Sequence, residues 1–139
     1  LKRLICAYKG AIIWHKPDKG TVHRDTYLPS CEAIVWATKS KDYHFVPWED
    51  QKGGRHHNFF ENSVCRGNER IGDLEAQKPI AVMEKLLLRH TGEGFRVLDP
   101  FAGYGTTIVA CARHNRLGVG IEELEEHFEV AETRIKAES

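Results

Sequence analysis

The stretch VLDPFAGYGTT, residues 97 to 107, offers the chemistry of a bare main chain. Gly103 and Gly105 carry no Cβ, so a bound molecule can lie against the backbone there, and the helix expected next opens with unpaired N–H groups. Seventeen residues after Gly105, at the end of the next apolar run, stands Glu122, whose carboxylate can accept hydrogen bonds from two ribose hydroxyls. A Gly-x-Gly turn alone is a weak signal, because close packing of a helix on a strand also demands glycine. Strand, turn, helix, strand and terminal acid in that order point to a nucleoside ligand. A nicotinamide dinucleotide is disfavoured, since Ile108 stands where its fingerprint needs a third glycine.

The elements that must hold these residues follow from periodicity. In KPIAVMEKLLLRHTGEG, Pro79 suits a first helical position; Ile80, Met83 and Leu87, with Val82 and Leu86, share a face, and Gly92 ends the helix. FRVLD reads as a strand, TTIVACARH as a helix capped by Thr106, and LGVGIE as the next strand. The last helix, EEHFEVAETRIKAE, turns Phe128, Ala131 and Ile135 inward and spaces Glu132 and Lys136 to pair outside. Together they make a parallel βαβ unit. Upstream, Gly10–Lys16 and Glu32–Lys39 are apolar runs that suit central strands covered on both faces, and residues 40–76 show no sustained period.

At 139 residues the chain is one soluble domain with a real core, and its formal net charge is zero. No apolar run approaches a bilayer span, and Lys9 interrupts the only stretch resembling a leader, so a signal peptide and a membrane role are excluded and a cytoplasmic location is expected. Cys6, Cys31, Cys65 and Cys111 are scattered, which suits reduced thiols; Cys65 with His56 and His57 lacks ligand spacing, and no metal site is expected. Residues 1–24 hold six Lys or Arg against Asp18, while residues 121–139 hold seven glutamates against Arg134 and Lys136. A polyanion would meet the first part and avoid the last helix.

AQKPIAVMEKLL, VLDPFAGYGTT and GIEELEEHFEVAETRI resemble three consecutive blocks of the permuted amino-group DNA methyltransferases. IIWHKP and CEAIVWATKS are similar to the strands that precede that family's recognition segment. The resemblance covers nearly the whole chain and implies an α/β fold, an incomplete Rossmann-like methyltransferase fold with a mostly parallel sheet. It implies S-adenosylmethionine as cofactor, DNA as partner, and methyl transfer to adenine N6 or cytosine N4, as in DNA methylation by restriction–modification systems. Carried over, Asp99, Pro100, Phe101, Ala102, Gly103 and Gly105 form the cofactor loop, with Phe101 against the cofactor. Thr106 and Thr107 open the helix beneath it, Glu122 holds the ribose, and Lys78 lies near the amino-acid end. A lysine before Pro79, beside bare amides at a helix N-terminus, suits a carboxylate; a solvated lysine and a surface acid are the plain alternatives for Lys78 and Glu122.

The sequence departs from the family twice. Leu74, Glu75 and Ala76 fill the place where a histidine often stands before Gln-Lys-Pro, and no Pro-Pro occurs anywhere, although the family binds the target amine with a polar-Pro-Pro-aromatic tetrapeptide. No catalytic residue is therefore assigned. The chain reads as the C-terminal part of such an enzyme, or a natural truncation, inactive alone. It divides into a strand pair over 1–40, a reduced target-recognition segment over 41–76 and the cofactor-binding βαβ region over 77–139. Lys52 and Arg55, in the locally basic KGGRHHN, are the candidates for phosphate contact, with ordinary loop charge as the equal alternative. A homodimer, an exchanged element, the missing N-terminal half, or direct pairing of residues 32–39 with 96–100 would cover the open edge of VLDPF. The readings from other classes are a non-catalytic cofactor- or nucleic-acid-binding module and a degenerate self-associating remnant.

Overall fold

β-branched and aromatic side chains at Ile12, Ile13 and Trp14 extend a strand from Ala7 to His15 (β1). The computed structural model describes residues 7–17, 29–46, 57–72 and 76–138, in two compact units that divide between Val64 and Cys65. In the first unit β1 pairs antiparallel with β2 (Cys31–Thr38), from Ala7 opposite Thr38 to His15 opposite Cys31, with a bulge between Tyr8 and Gly10. Its other edge takes β3 (Phe59–Glu61) in parallel, so β1 is central and the order is β2-β1-β3. Ile12, Trp14 and Phe60 are buried, each worth about 1.5–3 kcal/mol of removed apolar surface. Two polar groups there are matched: Trp14 Nε1 donates to the Asn62 carbonyl at 2.7 Å, and the buried Lys16 ammonium meets Glu32 at 3.0 Å.

β2 corrects the expectation of a strand covered on both faces. It lies at the edge of its sheet, its residues alternate between exposed and half-buried, and Val35 is 70% exposed. Small and β-branched residues on both faces of CEAIVWAT erased the alternation that would have marked an edge. β3 is likewise a short strand inside a segment without a readable period.

The second unit contains α1 (Ile80–His90), β4 (Arg96–Asp99), α2 (Thr106–Arg113), β5 (Leu117–Gly120) and α3 (Glu125–Lys136). β4 and β5 are parallel, in register from Arg96 opposite Leu117 to Asp99 opposite Gly120, as the βαβ reading requires. Leu87, Ala110 and Cys111 form the core, with Met83 and Val97 against it. The helix-to-strand contact is made close by glycines on the strand. A Cβ at Gly118 would stand 3.0 Å from Cys111 Cβ and 3.1 Å from Ile108, and one at Gly120 would stand 3.0 Å from Ala102 Cβ. Ile108 therefore fills from the helix side a space that a dinucleotide fold opens with its third glycine.

Helix starts differ from the sequence reading. Thr106 is the first residue of α2 and makes no cap; the cap position is Gly105, at φ 73°, where a Cβ would be strained. Pro79 itself occupies the cap of α1, and the orphan N–H of Ile80 is satisfied from a distance by Glu69 Oε1 at 2.6 Å. Gln77 fastens the same preceding segment, accepting from Ile71 N–H at 3.0 Å and donating to the Glu69 carbonyl at 2.7 Å. In α3, Ala131 is buried, but Phe128 is 46% exposed and not inward. The contact with Gly105 selects Ala131 as the tightest point, and Phe128 is left to flank a small cavity beside Gly118 and Gly120. Glu132 and Lys136 pair at 3.0 Å as their spacing required.

Among the described residues β4 pairs with β5 alone, and residues 31–38 pair with β1; the direct pairing of residues 32–39 with 96–100 is not formed. No helix among them is long and apolar enough to cross a membrane.

Two tests follow from the packing. Burial, more than the nearby Glu69 carboxylate, pushes the Cys65 thiol up to about 11 and burial likewise raises Cys111, whereas Cys31 is exposed. Iodoacetamide at neutral pH should thus alkylate Cys31 in the native protein and reach Cys65 and Cys111 only after unfolding; mass spectrometry reads the sites. A Cβ at Gly105 would lie 2.9 Å from Ala131 Cβ in a left-handed conformation. Gly105→Ala should cost about 2 kcal/mol or more in urea unfolding, and a loss within error of zero would mean α3 can retreat.

Candidate functional site

The segment between β4 and α2 reverses direction in a few residues, and its polar atoms are answered from three other places. Asp99, the last residue of β4, accepts the Phe101 N–H at 3.0 Å through Oδ1 and the Thr107 hydroxyl at 2.6 Å through Oδ2. Glu122, two residues beyond β5, accepts the Gly103 N–H at 2.7 Å through Oε2 and the Leu124 N–H at 3.1 Å through Oε1. Arg134, on α3, donates to the Tyr104 carbonyl. The Gly105 N–H closes the turn onto the Ala102 carbonyl at 2.8 Å, and the Ala102 N–H joins the strand end at the Ile121 carbonyl at 2.9 Å. Positive φ at Gly103 (53°) and Gly105 (73°) makes this path accessible to glycine.

Over the turn opens a cavity of about 370 Å³, in the range of small-molecule sites. Its wall brings together Lys78, Asp99, Phe101, Ala102, Gly103, Thr106, Thr107 and Glu122, residues drawn from three separate stretches of chain. Two candidates are not in it. Pro100 is exposed at the turn's outer side and lines none of this cavity. Gly105 faces α3 instead: its main chain is approached by Ala131, the packing reason for glycine and not the ligand reason. Phe101 is 89% exposed, a ring presented at the rim. Lys52 and Arg55 lie outside the described residues.

Sequence reasoning missed Ala76, Gln77, Met83, Leu124 and His127, which with Tyr104 of the turn complete the wall. His127 stands edge-on to Tyr104, with ring centroids 5.0 Å apart, and its Nδ1 is 3.6 Å from Glu122 Oε1. His127 stands in an acid-rich run that gives it no distinct mark in the sequence. The wall thus holds two carboxylates, one ammonium and an imidazole around apolar surface, an arrangement suited to a polar ligand with both hydroxyl donors and separated charges. A larger cleft in the same unit, about 540 Å³, has its charges turned on each other, with Arg113 bridging Glu138 at 2.5 Å and Glu84 at 4.0 Å. Size does not pick the site; the gathering of Lys78, Asp99, Thr107 and Glu122 beside the glycine turn does.

An acid-ended βαβ unit with this turn belongs to the nucleoside-binding α/β folds, and comparison with known proteins narrows the class to the methyltransferases. The solved complex of M1.HpyAVI with S-adenosylmethionine aligns with a TM-score of 0.81 and 31% identity, over 94% of this chain and 63% of that one. The cytosine-N4-specific PvuII DNA methyltransferase aligns at 0.79 with 16% identity, over 93% of this chain and 51% of that one, a likeness of fold alone. The type II methyltransferase M2.DpnII of Streptococcus pneumoniae is 33% identical over 136 residues, 92% of this chain and 51% of that protein. M.HinfI of Haemophilus influenzae is 30% identical over 139 residues, 90% of this chain and 38% of that protein. Residues 5–133 match the model of the N6/N4 methyltransferases, described as DNA methylase, and the chain belongs to that family. It spans about half the length of the curated relatives it matches.

The hydrogen bonds from Leu124 and Gly103 hold the Glu122 carboxyl below the usual carboxylate range, with a smaller contribution from His127. A carboxyl depressed in the folded state contributes stability that is complete above the unfolded carboxylate range and lost as pH falls through the native value. The melting temperature of Glu122→Gln should therefore fall less than that of the parent on acidification, the two curves converging at low pH. Parallel curves would show that Glu122 does not hold the turn.

Proposed function

We propose that the cavity over the glycine turn holds S-adenosylmethionine, and that the chain is the cofactor-binding part of a DNA methyltransferase acting on adenine N6 or cytosine N4. The observation that carries this reading is the convergence of Lys78, Asp99, Thr107 and Glu122 on one cavity at the turn of a chain of this family. The residues present fit the ligand. Glu122 keeps acceptor sites beyond the two backbone donors it receives, enough for ribose hydroxyls. Lys78, just before the start of α1, suits the amino-acid carboxylate, and the carboxylates of Asp99 and Glu122 favour a cationic ligand. When bound, this cofactor supplies an electrophilic methyl on a sulfonium.

Calorimetry with S-adenosylhomocysteine tests the placement. Glu122→Ala should weaken binding by roughly tenfold to a hundredfold, the range for hydrogen bonds to a charged group. Tight binding untouched by the substitution would move the ribose elsewhere.

Turnover needs the methyl in line with an amine held in place, and the cavity supplies the first half of that arrangement. No Pro-Pro-aromatic block lies within residues 1–139, and misplacing a reacting group by about 1 Å can cost around a hundredfold in rate. The chain alone therefore binds cofactor and leaves duplex DNA unmethylated, and supplying an N-terminal half in trans, with the strand that the edge of β4 can pair, restores transfer. Radiolabelled methyl incorporation into mixed-sequence DNA, with and without that half, is the assay, and incorporation by the chain alone would overturn this division. The same missing block supports a second reading, a cofactor-binding module without turnover, for which the added half would change nothing. Contacts from Lys52 and Arg55 to DNA phosphates belong to the proposal.

A further inference from the structure

Arg134 is the charge at the turn that a ligand does not touch. It projects from α3 three residues after Ala131, on the same face, so the close approach of Ala131 to Gly105 delivers the guanidinium to the outer side of the turn. It lines the larger cleft and not the cavity over the turn. Among the described residues its hydrogen-bond acceptors are the Tyr104 carbonyl and, at 3.4 Å, the Thr106 hydroxyl; no carboxylate there lies within 4.0 Å of it. A half-buried cation satisfied by a main-chain carbonyl is unusual, because arginine removed from water ordinarily meets a carboxylate.

This choice of acceptor ties two things together. Gly103 and Gly105 are free to take many backbone conformations, so the turn has an entropic tendency to wander when no ligand holds it. With the Tyr104 carbonyl drawn outward onto Arg134, the peptide between them is fixed in one orientation. Any other orientation leaves the half-buried guanidinium with only the Thr106 hydroxyl, at 3.4 Å, as an acceptor among the described residues, which is costly. We infer that Arg134 is a positioning residue for the cofactor, holding the empty glycine turn in its binding conformation from the side opposite the ligand. The inference rests on the reading of the cavity as the cofactor site.

Affinity measured on folded protein separates positioning from mere stability. Arg134→Met removes the donor at similar volume, Arg134→Lys keeps a donor and the charge, and Arg113→Met removes the neighbouring cation that pairs with Glu138 without contacting the turn. Calorimetry with S-adenosylhomocysteine, run well below each variant's melting temperature, should show about a tenfold or greater loss for Arg134→Met. Arg134→Lys should recover most of that loss, and Arg113→Met should stay within about twofold of the parent, whatever its melting temperature. Hydrogen–deuterium exchange on the ligand-free proteins gives a second readout: exchange at Gly105 and Val109, whose amides close the turn and start α2, should rise in Arg134→Met and not in Arg113→Met. Should Arg134→Met fail to fold, Arg134→Leu, which also lacks a donor, carries the same comparison. Unchanged affinity and unchanged exchange in a folded Arg134 variant would overturn the inference, as would equal losses in Arg113→Met. A parent protein that binds no S-adenosylhomocysteine would overturn the cofactor reading instead, leaving the exchange comparison to decide whether Arg134 holds the turn.

Discussion

Everything in the second unit depends on a reversal of chain between β4 and α2 that glycine makes sterically accessible and that charged side chains make unique. Asp99, Glu122 and Arg134 come from a strand end, a loop and a helix, and each spends hydrogen bonds on the main chain or hydroxyls of residues 101–107. Two carboxylates take N–H groups and a hydroxyl on one side, and a cation takes a carbonyl on the other. The arrangement is a distributed clamp, and it explains why a loop with two positive-φ glycines can present a shaped wall to a ligand. Hydrogen bonds to charged groups are stronger than those between neutral groups, and several of them converge here against the freedom of two glycines.

The same clamp dictates the packing below it. For Arg134 and Glu122 to reach the turn, α3 and the end of β5 must come very close to α2, and side chains at the contact points would keep them apart. Glycine at 105, 118 and 120 and alanine at 102 and 131 remove that bulk, and Ile108 fills the remaining space. Small residues in this unit are therefore positional requirements of the site. Farther out, Arg116 donates to the Thr91 carbonyl at 2.8 Å and to the His114 carbonyl, tying the C-termini of α1 and α2 where a cation also suits their dipoles.

Much of this was legible because it is local. The order of strand, turn, helix, strand and helix over residues 96–136 follows from apolar periodicity, and Glu132 with Lys136 from i,i+4 spacing. Lys78, Asp99, Thr107 and Glu122 could be picked out as a group because the motifs that carry the resemblance contain them, and the structure puts all four in the wall of one cavity. What was hidden depends on distance. Arg134 looked like one of two cations relieving an acidic helix, and nothing in its neighbours shows that it meets a carbonyl thirty residues earlier. Glu69 as a helix cap eleven residues upstream, and Gly105 as a packing glycine, are of the same kind. β2 was misread because its exposed positions are alanine, cysteine and valine, so burial left no mark on composition.

Each buried core residue of the second unit belongs to one run of chain, from Cys65 to Ala131, and the clamp closes with Arg134, three residues farther on. Such a block carries its own fastening wherever it is placed in a gene. Splicing it ahead of or behind another segment would sever none of the bonds that shape the wall over the turn. A unit assembled this way is tolerant of reshuffled gene order.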